Sequence, residues 1–576
     1  MSACLECWRW RVSQSTLAYD HRARRTLDLL SRRRFLHFGP RVSYILIGMP
    51  FTRRSFLGAA TLGATLLAAK PKPPNFLVIL ADDMGFSDAG CYGGEVETPN
   101  LDRLAAQGLR FTQAYSTARC APSRSCLLTG RYAQETACDS MTPGNTPAST
   151  RFLPEYLKPL GYRSYHSGKW HLKFSPMEGG AGFDRTYTML DEFRFFTQNY
   201  HELDGKPLPR PGDDYYSTTA IADYAVTFLK DHAADHRGMP FFLYLAPHAP
   251  HFPLQAPPAD IEHYKGKFAE GWDTARERKW QRMKRLGLID CALAPLEPNM
   301  WTNWNTPDDE ILTRIGPGEV MRAVPWSSLT QEQKDFQRTK MAIHAAMITR
   351  MDTEIGKVLT QVEAMGALRD TVVVFLSDNG ASSEQLIRGD GHDSSAPLGS
   401  AKTHLGLGPG WASNSNAPFR LHKSWVNEGG IASPMIVSWP NGIKDRSMLR
   451  HDPCHFIDIM PTFLELAGAV PAVEQSGRSL VPAFRKSGSV TRDFLYFNHN
   501  DNRAIRVGDW KLIAIGKTGP WELYDLKRDR SEQHDLATLQ LATVEKLSML
   551  WTKLDREYVQ RREFSPATAK VRMKKS

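Results

Sequence analysis

From Asn75 onward the chain alternates short, nearly unbroken apolar runs with longer segments of helical periodicity, and few architectures accept that alternation. The runs Phe76 to Ala81, Phe241 to Ala246, Thr371 to Ser377 and Pro434 to Trp439 have almost no polar face. A strand of that kind needs cover on both sides, so these four read as central strands. Apolar residues at helical spacing mark Asn100 to Leu109, Thr218 to Asp231, Arg338 to Met365 and Ile457 to Leu466, which supply the cover. Strands interleaved with helices predict an α/β domain built on a large mixed, mostly parallel sheet.

At 576 residues the chain is too long for one ordinary core. The texture changes after about residue 485. Short β-like runs follow, Phe494 to Phe497, Ala504 to Val507, Trp510 to Ile515 and Glu522 to Leu526, and then a last helix from Thr543 to Tyr558. The expected division is therefore a main domain over 75–485 and a smaller C-terminal α+β subdomain over 486–576. The stretch 253–324, rich in Pro, Trp and charge, is long for a connection and reads as an insertion, a candidate lid.

The formal charge of +10 suggests nucleic acid until it is located along the chain. Residues 1 to 69 hold eleven Arg, no Lys and three acids, Glu6, Asp20 and Asp28, so the leader carries +8 and the remainder about +2. A nucleic-acid partner is not expected. The leader contains Thr52-Arg53-Arg54-Ser55-Phe56-Leu57, followed by the small, apolar run Gly58 to Ala69, a pattern similar to a twin-arginine export signal. Met49 precedes it, which makes 1–48 an over-extended start or a leader of unusual length. A second match, Ser31-Arg32-Arg33-Arg34-Phe35-Leu36, is interrupted by Pro40 and Arg41. The apolar stretch is short for a stable membrane span, so a periplasmic or secreted protein is expected.

Eight Cys in a chain of this size do not form a disulfide scaffold, and Cys4 and Cys7 have no second pair to complete a metal site. One cysteine stands in a distinctive context. Cys120-Ala121-Pro122-Ser123-Arg124 continues to Leu128-Thr129-Gly130-Arg131, and its four fixed residue types should arise by chance in roughly one chain in a few hundred of this length. The segment from Ser123 is expected to begin a helix whose N-terminus faces an anion.

Other polar residues fall where an α/β sheet places its ligands. Asp82-Asp83 and Asp378-Asn379-Gly380 each lie just past the carboxyl end of an expected strand. Three carboxylates and an amide oxygen form a hard shell suited to Ca²⁺ or Mg²⁺ and poorly suited to Zn²⁺. Taken singly, each of these pairs is more often a turn. Lys169 and His171 are two apart, on one side of a segment read as extended. His248-Ala249-Pro250-His251 follows another strand, where Pro250 argues against helix. Lys423 precedes Glu428-Gly429-Gly430 and the run from Pro434.

The Cys120 signature resembles that of the sulfatase family, in which this cysteine is oxidised to formylglycine. The likeness extends through Gly85-Phe86-Ser87-Asp88, Gly93-Gly94-Glu95 and Thr98-Pro99-Asn100-Leu101-Asp102, similar to the opening of bacterial arylsulfatases. It ends with Trp510-Lys511-Leu512 and Trp521-Glu522-Leu523-Tyr524. The resemblance implies an alkaline-phosphatase-like fold and hydrolysis of sulfate monoesters, whether aryl sulfates or sulfated carbohydrates. It implies Asp82, Asp83, Asp378, Asn379 and modified Cys120 as ligands of a divalent cation, Ca²⁺ ahead of Mg²⁺. Arg124, Lys169 and Lys423 would clamp sulfate and formylglycine. His171 would collapse the covalent adduct, and His251, helped by Lys423, would protonate the leaving oxygen; His248 has a supporting role. A formylglycine-generating maturation enzyme is the implied partner, besides the sulfated small molecule or glycan.

Two alternatives stay open in the sequence. A phosphate or phosphonate ester hydrolase of the same superfamily needs the same cation and clamp. A non-catalytic glycan-binding relative needs no nucleophile, and Cys120 with its surrounding bases argues against it. The stretches Ser383 to Trp411 and Asn498 to Asn502 do not match the family pattern, which leaves the substrate undefined.

Overall fold

A computed structural model of the chain describes residues 72–140, 150–177, 180–469 and 475–563. The leader, with its twin-arginine patterns, Met49, Cys4 and Cys7, lies outside the described residues.

The strands of the main sheet are β1 (Asn75–Ala81), β2 (Leu109–Tyr115), β3 (Arg163–Lys169), β4 (Arg185–Met189), β5 (His201–Leu203), β6 (Lys206–Pro207), β7 (Phe241–Ala246), β8 (Thr371–Ser377), β9 (Ala432–Ser438), β10 (Met448–Arg450) and β11 (Cys454–His455). Their spatial order is β10-β2-β9-β8-β1-β7-β3-β4-β5-β6, with β11 also on β2. The centre β8-β1-β7-β3-β4 is parallel throughout. Alternate residues of β1 explain why: Leu77 and Ile79 enter one core and Phe76, Val78 and Leu80 the other. Each such side chain contributes about 1.5–3 kcal/mol when buried.

The run expected as a parallel strand at Pro434 to Trp439 forms β9, two residues earlier and antiparallel to both neighbours. An apolar run specifies burial and carries no direction, so orientation was not written in it. The long helices are α1 (Pro99–Gln107), α2 (Cys120–Thr129), α3 (Ser217–Asp235), α4 (Gly271–Arg285), α5 (Gln331–Ala364), α6 (Ile459–Leu466) and α7 (Leu541–Glu563). α5 begins seven residues before the expected Arg338, because Thr330 and Gln333 close a capping box there. In the stretch read as a lid, Trp272 of α4 is fully buried and packs edge-on against Trp326 and Trp411. That part of the stretch is core rather than a free flap.

A second sheet runs β12 (Leu495–His499), β13 (Asn502–Val507), β14 (Trp510–Ala514) and β15 (Trp521–Asp525), antiparallel throughout. It is fastened to the main sheet by buried charge. Glu428 accepts from Lys511 Nζ (2.9 Å), Arg530 Nε (2.8 Å) and Tyr115 Oη (3.0 Å), while Lys511 also reaches Glu532 at 2.7 Å. Removing one partner of such a set typically costs about 3–5 kcal/mol, since it strands a buried charge.

Among the described residues, no helix is long and apolar enough to cross a membrane.

Candidate active site

The carboxyl ends of β1, β3, β4, β7 and β8 share one edge of the sheet. β9 runs the other way, so its amino end, with Lys423 ahead of it, reaches the same edge; β2, antiparallel to β9, delivers Cys120 there too. Every residue singled out for chemistry in the sequence therefore arrives at one place.

The centre is built on a kink. Consecutive side chains of a strand point to opposite faces, yet Asp83 turns left-handed (φ 64°) directly after β1, which brings it round beside Asp82. Its N–H donates to Asp378 Oδ1 at 3.2 Å, and Asn379 Nδ2 donates to Asp83 Oδ1 at 2.6 Å. The turn after β8 fits because Gly380 lies against the Gly429 carbonyl, where a Cβ would come within 1.9 Å of the oxygen.

Cys120 is the first residue of α2, three residues ahead of the helix start expected at Ser123. The helix includes Pro122. It lies in the first helical turn, where a backbone N–H has no helical partner to lose, so the helix accepts it. One ligand atom each from Asp82, Asp83, Cys120 and His251 lies within 4.8 Å of every other. Arg124, one turn along α2 and fully buried, gives Nη2 to Asp378 Oδ2 (2.8 Å), with Asp82 Oδ2 at 3.6 Å, and Nη1 to the Lys169 carbonyl (2.9 Å).

Two lysines flank this centre. Lys169, the last residue of β3, places Nζ 2.6 Å from Asp82 Oδ2 and also pairs with Glu192. Gly168 makes the approach possible: its φ is 124°, and a Cβ would lie 2.1 Å from the Ala246 carbonyl. Lys423 places Nζ 2.8 Å from Asp83 Oδ2 and 3.3 Å from Glu384 Oε2. The segment through His171, read as extended, is not: the strand stops at Lys169 and His171 is left-handed (φ 54°). Lys169 and His171 still meet the same group, with His171 Nδ1 3.8 Å from Glu192 Oε2. His251 gives Nδ1–H to the Phe252 carbonyl (2.5 Å), leaving Nε2 3.7 Å from Asp83 Oδ2. His248 is buried, stacked 3.8 Å on Phe195, with no protein partner on either ring nitrogen.

Burial and charge set the protonation states. Burial alone would raise the Asp82 carboxyl, but Lys169, His251 and Arg124 outweigh it and hold it well below the usual range. Asp378 is pushed up to about 7 by burial and by the charge of Asp82. Burial takes His171 and His248 down to about 3, which leaves both rings neutral, and lowers His251 as well. Both lysines stay charged, against burial, because Asp82 and Asp83 face them. Burial raises the Cys120 thiol well above its ordinary value. An unmodified Cys120 is therefore a poor nucleophile.

The donor set fits a cation. Asp82 Oδ1 and Asn379 Oδ1 are buried acceptors without a hydrogen-bond partner, an expensive arrangement unless a ligand completes it. Oxygen donors around carboxylates suit a hard divalent ion.

Three residues in this neighbourhood were not picked out from the sequence: Glu192, Glu384 and Arg119. Arg119 Nη1 donates to Glu384 Oε1 (2.9 Å) and Ser424 Oγ (2.6 Å). Arg119 had a signal, its position next to Cys120. Glu192 and Glu384 had none, for both sit on loops that are far from Cys120 in the chain.

Comparison with known proteins gives the family. The model of the Sulfatase family matches residues 74–469, and that of the N-sulphoglucosamine sulphohydrolase C-terminal region matches 420–560. An uncharacterized sulfatase of Schizosaccharomyces pombe is 32% identical over 552 residues, covering 85% of this chain and 94% of that one. An arylsulfatase of Klebsiella aerogenes is 32% identical over 450 residues, covering 72% and 91%. In fold, the chain is similar to Ps i-CgsB solved in complex with k-i-k-neocarrahexaose, with a TM-score of 0.61 at 24% identity over 87% of this chain and 96% of that one. The chain belongs to the sulfatase family and is a sulfuric ester hydrolase on the alkaline-phosphatase-like fold.

Proposed function

We propose that this enzyme cleaves sulfate monoesters, aryl sulfates or sulfated carbohydrates, through a formylglycine made from Cys120 by a maturation enzyme. The observation that carries the reading is the position of Cys120: first residue of a helix, within 4.8 Å of ligand atoms of Asp82, Asp83 and His251, between two charged lysines. An arylsulfatase among the relatives supports the first substrate class, and a glycan-bound structure of the same fold supports the second. A hydrated aldehyde at position 120 supplies a hydroxyl nucleophile and a second hydroxyl able to release sulfate, and a divalent cation makes the first more acidic. Asp82, Asp83, Asp378 and Asn379 would hold that cation, Ca²⁺ ahead of Mg²⁺.

The chain's own groups divide the remaining work. Lys169, paired with Asp82, and Lys423, paired with Asp83, would neutralise the sulfuryl oxygens, and the positive end of the α2 dipole would add to them. Arg124 fixes Asp82, Asp378 and the turn at Lys169, and its charge adds to the clamp. His171, neutral and beside Glu192, would accept the proton in the release step. His251 would deliver a proton to the leaving oxygen, with the Lys423 ammonium as its supply. The twin-arginine pattern at Arg53-Arg54 would direct the protein out of the cytoplasm.

Mass spectrometry of the peptide spanning Cys120, together with parallel rates on aryl sulfate, phosphate and phosphonate esters, tests the reading. We expect the thiol replaced by the aldehyde and sulfate preferred. An unmodified thiol in fully active enzyme, or a clear preference for phosphorus, would overturn it.

A further inference from the structure

Resting on the function proposed above, we infer that Glu384 is a positioning residue that holds the Lys423 ammonium at the leaving-group side of the site and ties it to Arg119 and Trp304. The carboxylate is buried, and each oxygen has two partners. Oε1 accepts from Arg119 Nη1 (2.9 Å) and Trp304 Nε1 (2.5 Å). Oε2 accepts from Ser382 Oγ (3.1 Å) and lies 3.3 Å from Lys423 Nζ. A carboxylate with this many donors has one available orientation.

The Lys423 backbone is pinned as well, its N–H donating to the Ala381 carbonyl at 3.1 Å, three residues before Glu384 in the same loop. The ammonium therefore stands between Asp83 and Glu384. In the working enzyme Asp83 would be committed to the cation, and its hold on Lys423 would weaken. Glu384 touches no proposed cation ligand, so its hold would not change. A lysine is a point charge on a flexible stem, and without a second anchor its ammonium would be free to follow the sulfate oxygens.

Arg119 and Trp304 extend the arrangement outward. The Arg119 guanidinium lies over the Trp304 ring, 5.5 Å from its centroid, and also bonds Ser424 Oγ. Trp304 comes from the stretch 253–324, whose α4 is anchored in the core. The same carboxylate thus joins Lys423 to Arg119 and Trp304, and the ammonium that would serve the departing alcohol is the group whose position Glu384 governs.

The consequence is a dependence on the leaving group. A good leaving group departs without a proton, and a poor one does not. Glu384→Gln keeps the shape and removes the charge that holds Lys423. With matured enzyme and a series of aryl sulfates graded by phenol acidity, we expect its kcat/KM to fall about 100-fold for the poorest leaving group and less than about 3-fold for 4-nitrophenyl sulfate. Trp304→Phe, which removes the indole donor to Glu384 and trims the ring beneath Arg119 while keeping the carboxylate's charge, should shift the same dependence in the same direction by less, and it decides the matter should the first variant not fold. Equal losses across the series, or none, would overturn the assignment of Glu384. Wild-type enzyme that turns over no member of the series would instead overturn the parent reading.

Discussion

The two lysine arms of the site are alike in plan and different in construction. Each runs from one of the paired aspartates through a lysine to a glutamate: Asp82, Lys169 and Glu192 on one side, Asp83, Lys423 and Glu384 on the other. The side chain of Glu192 is 20% exposed and that of Glu384 only 1%. Glu192 stands on the loop after β4 beside His171, whereas Glu384 is enclosed by Arg119, Trp304 and Ser382. A partly exposed carboxylate whose buried Oε2 faces a neutral histidine can assist a proton transfer there. A sealed carboxylate with three hydrogen-bond donors and an ammonium beside it is suited to holding its neighbours still. The difference is consistent with the proposed division, in which the first arm serves sulfate release and the second alcohol departure.

Both arms depend on what lies between them, and the largest expected effect removes it. Cys120→Ala should lower kcat by about 10⁴-fold or more, since it deletes the nucleophile. Its melting temperature should stay near wild type, because the side chain makes no hydrogen bond that the fold needs. Residual turnover within tenfold of wild type would break the comparison at its centre.

Next in size are the lysines. Lys169→Ala and Lys423→Ala should each cost about 10²–10³-fold in kcat/KM through lost charge at the sulfuryl group. The loss at Lys169 should be uniform across leaving groups, and the loss at Lys423 should grow as the leaving group worsens. If the two variants respond identically to leaving-group acidity, the arms are equivalent and the division of labour fails.

How much of this could be read in the sequence follows the same line. The strand ends were legible because each central strand is an unbroken apolar run, and a polar pair directly after such a run has only the sheet edge to occupy. Thus Asp82, Asp83, Asp378 and Asn379 were found at positions where β1 and β8 do end. Lys169, His251 and Lys423 were found through the family likeness and converge as expected. The direction of β9 was hidden, since hydrophobicity is the same read either way. The start of α2 lies three residues ahead of the expected Ser123. Glu192 and Glu384 were hidden for a stronger reason: they sit on loops whose course is set by tertiary contacts, with partners that are not their neighbours in sequence. His171 shows the limit at the scale of one residue, for a two-residue spacing gave the right shared neighbour through the wrong backbone conformation.

A smaller effect tests the open arm. Glu192 raises the His171 pKa by its charge, against the burial that takes it down to about 3. Glu192→Gln removes that help, so the His171 pKa should fall further. His171 must be neutral to accept a proton, so the acidic limb of kcat against pH should move to lower pH, while the weaker base slows turnover about tenfold. Leaving-group dependence should stay as in wild type. An acidic limb that moves to higher pH would show that His171 does not act as the base.

The smallest expected effect concerns what holds the open arm in place. Arg194, two residues after Glu192, bonds Asp191 and forms a two-pronged pair with Asp390 at 2.7 Å on each prong, which joins the Glu192 loop to the one that follows Glu384. Asp390 is 76% exposed, so solvent screens the pair. Asp390→Ala should therefore cost less than about 1 kcal/mol in stability and less than about 3-fold in kcat/KM. Adding salt to wild-type enzyme should reproduce part of that loss, because both act on the same screened attraction. The buried counterpart gives the contrast: Glu384 has no exposed partner to screen, so salt should leave its arm untouched. Should Asp390→Ala instead match Glu192→Gln in size, the Glu192 loop is held by this one pair, and the open arm is built as firmly as the sealed one.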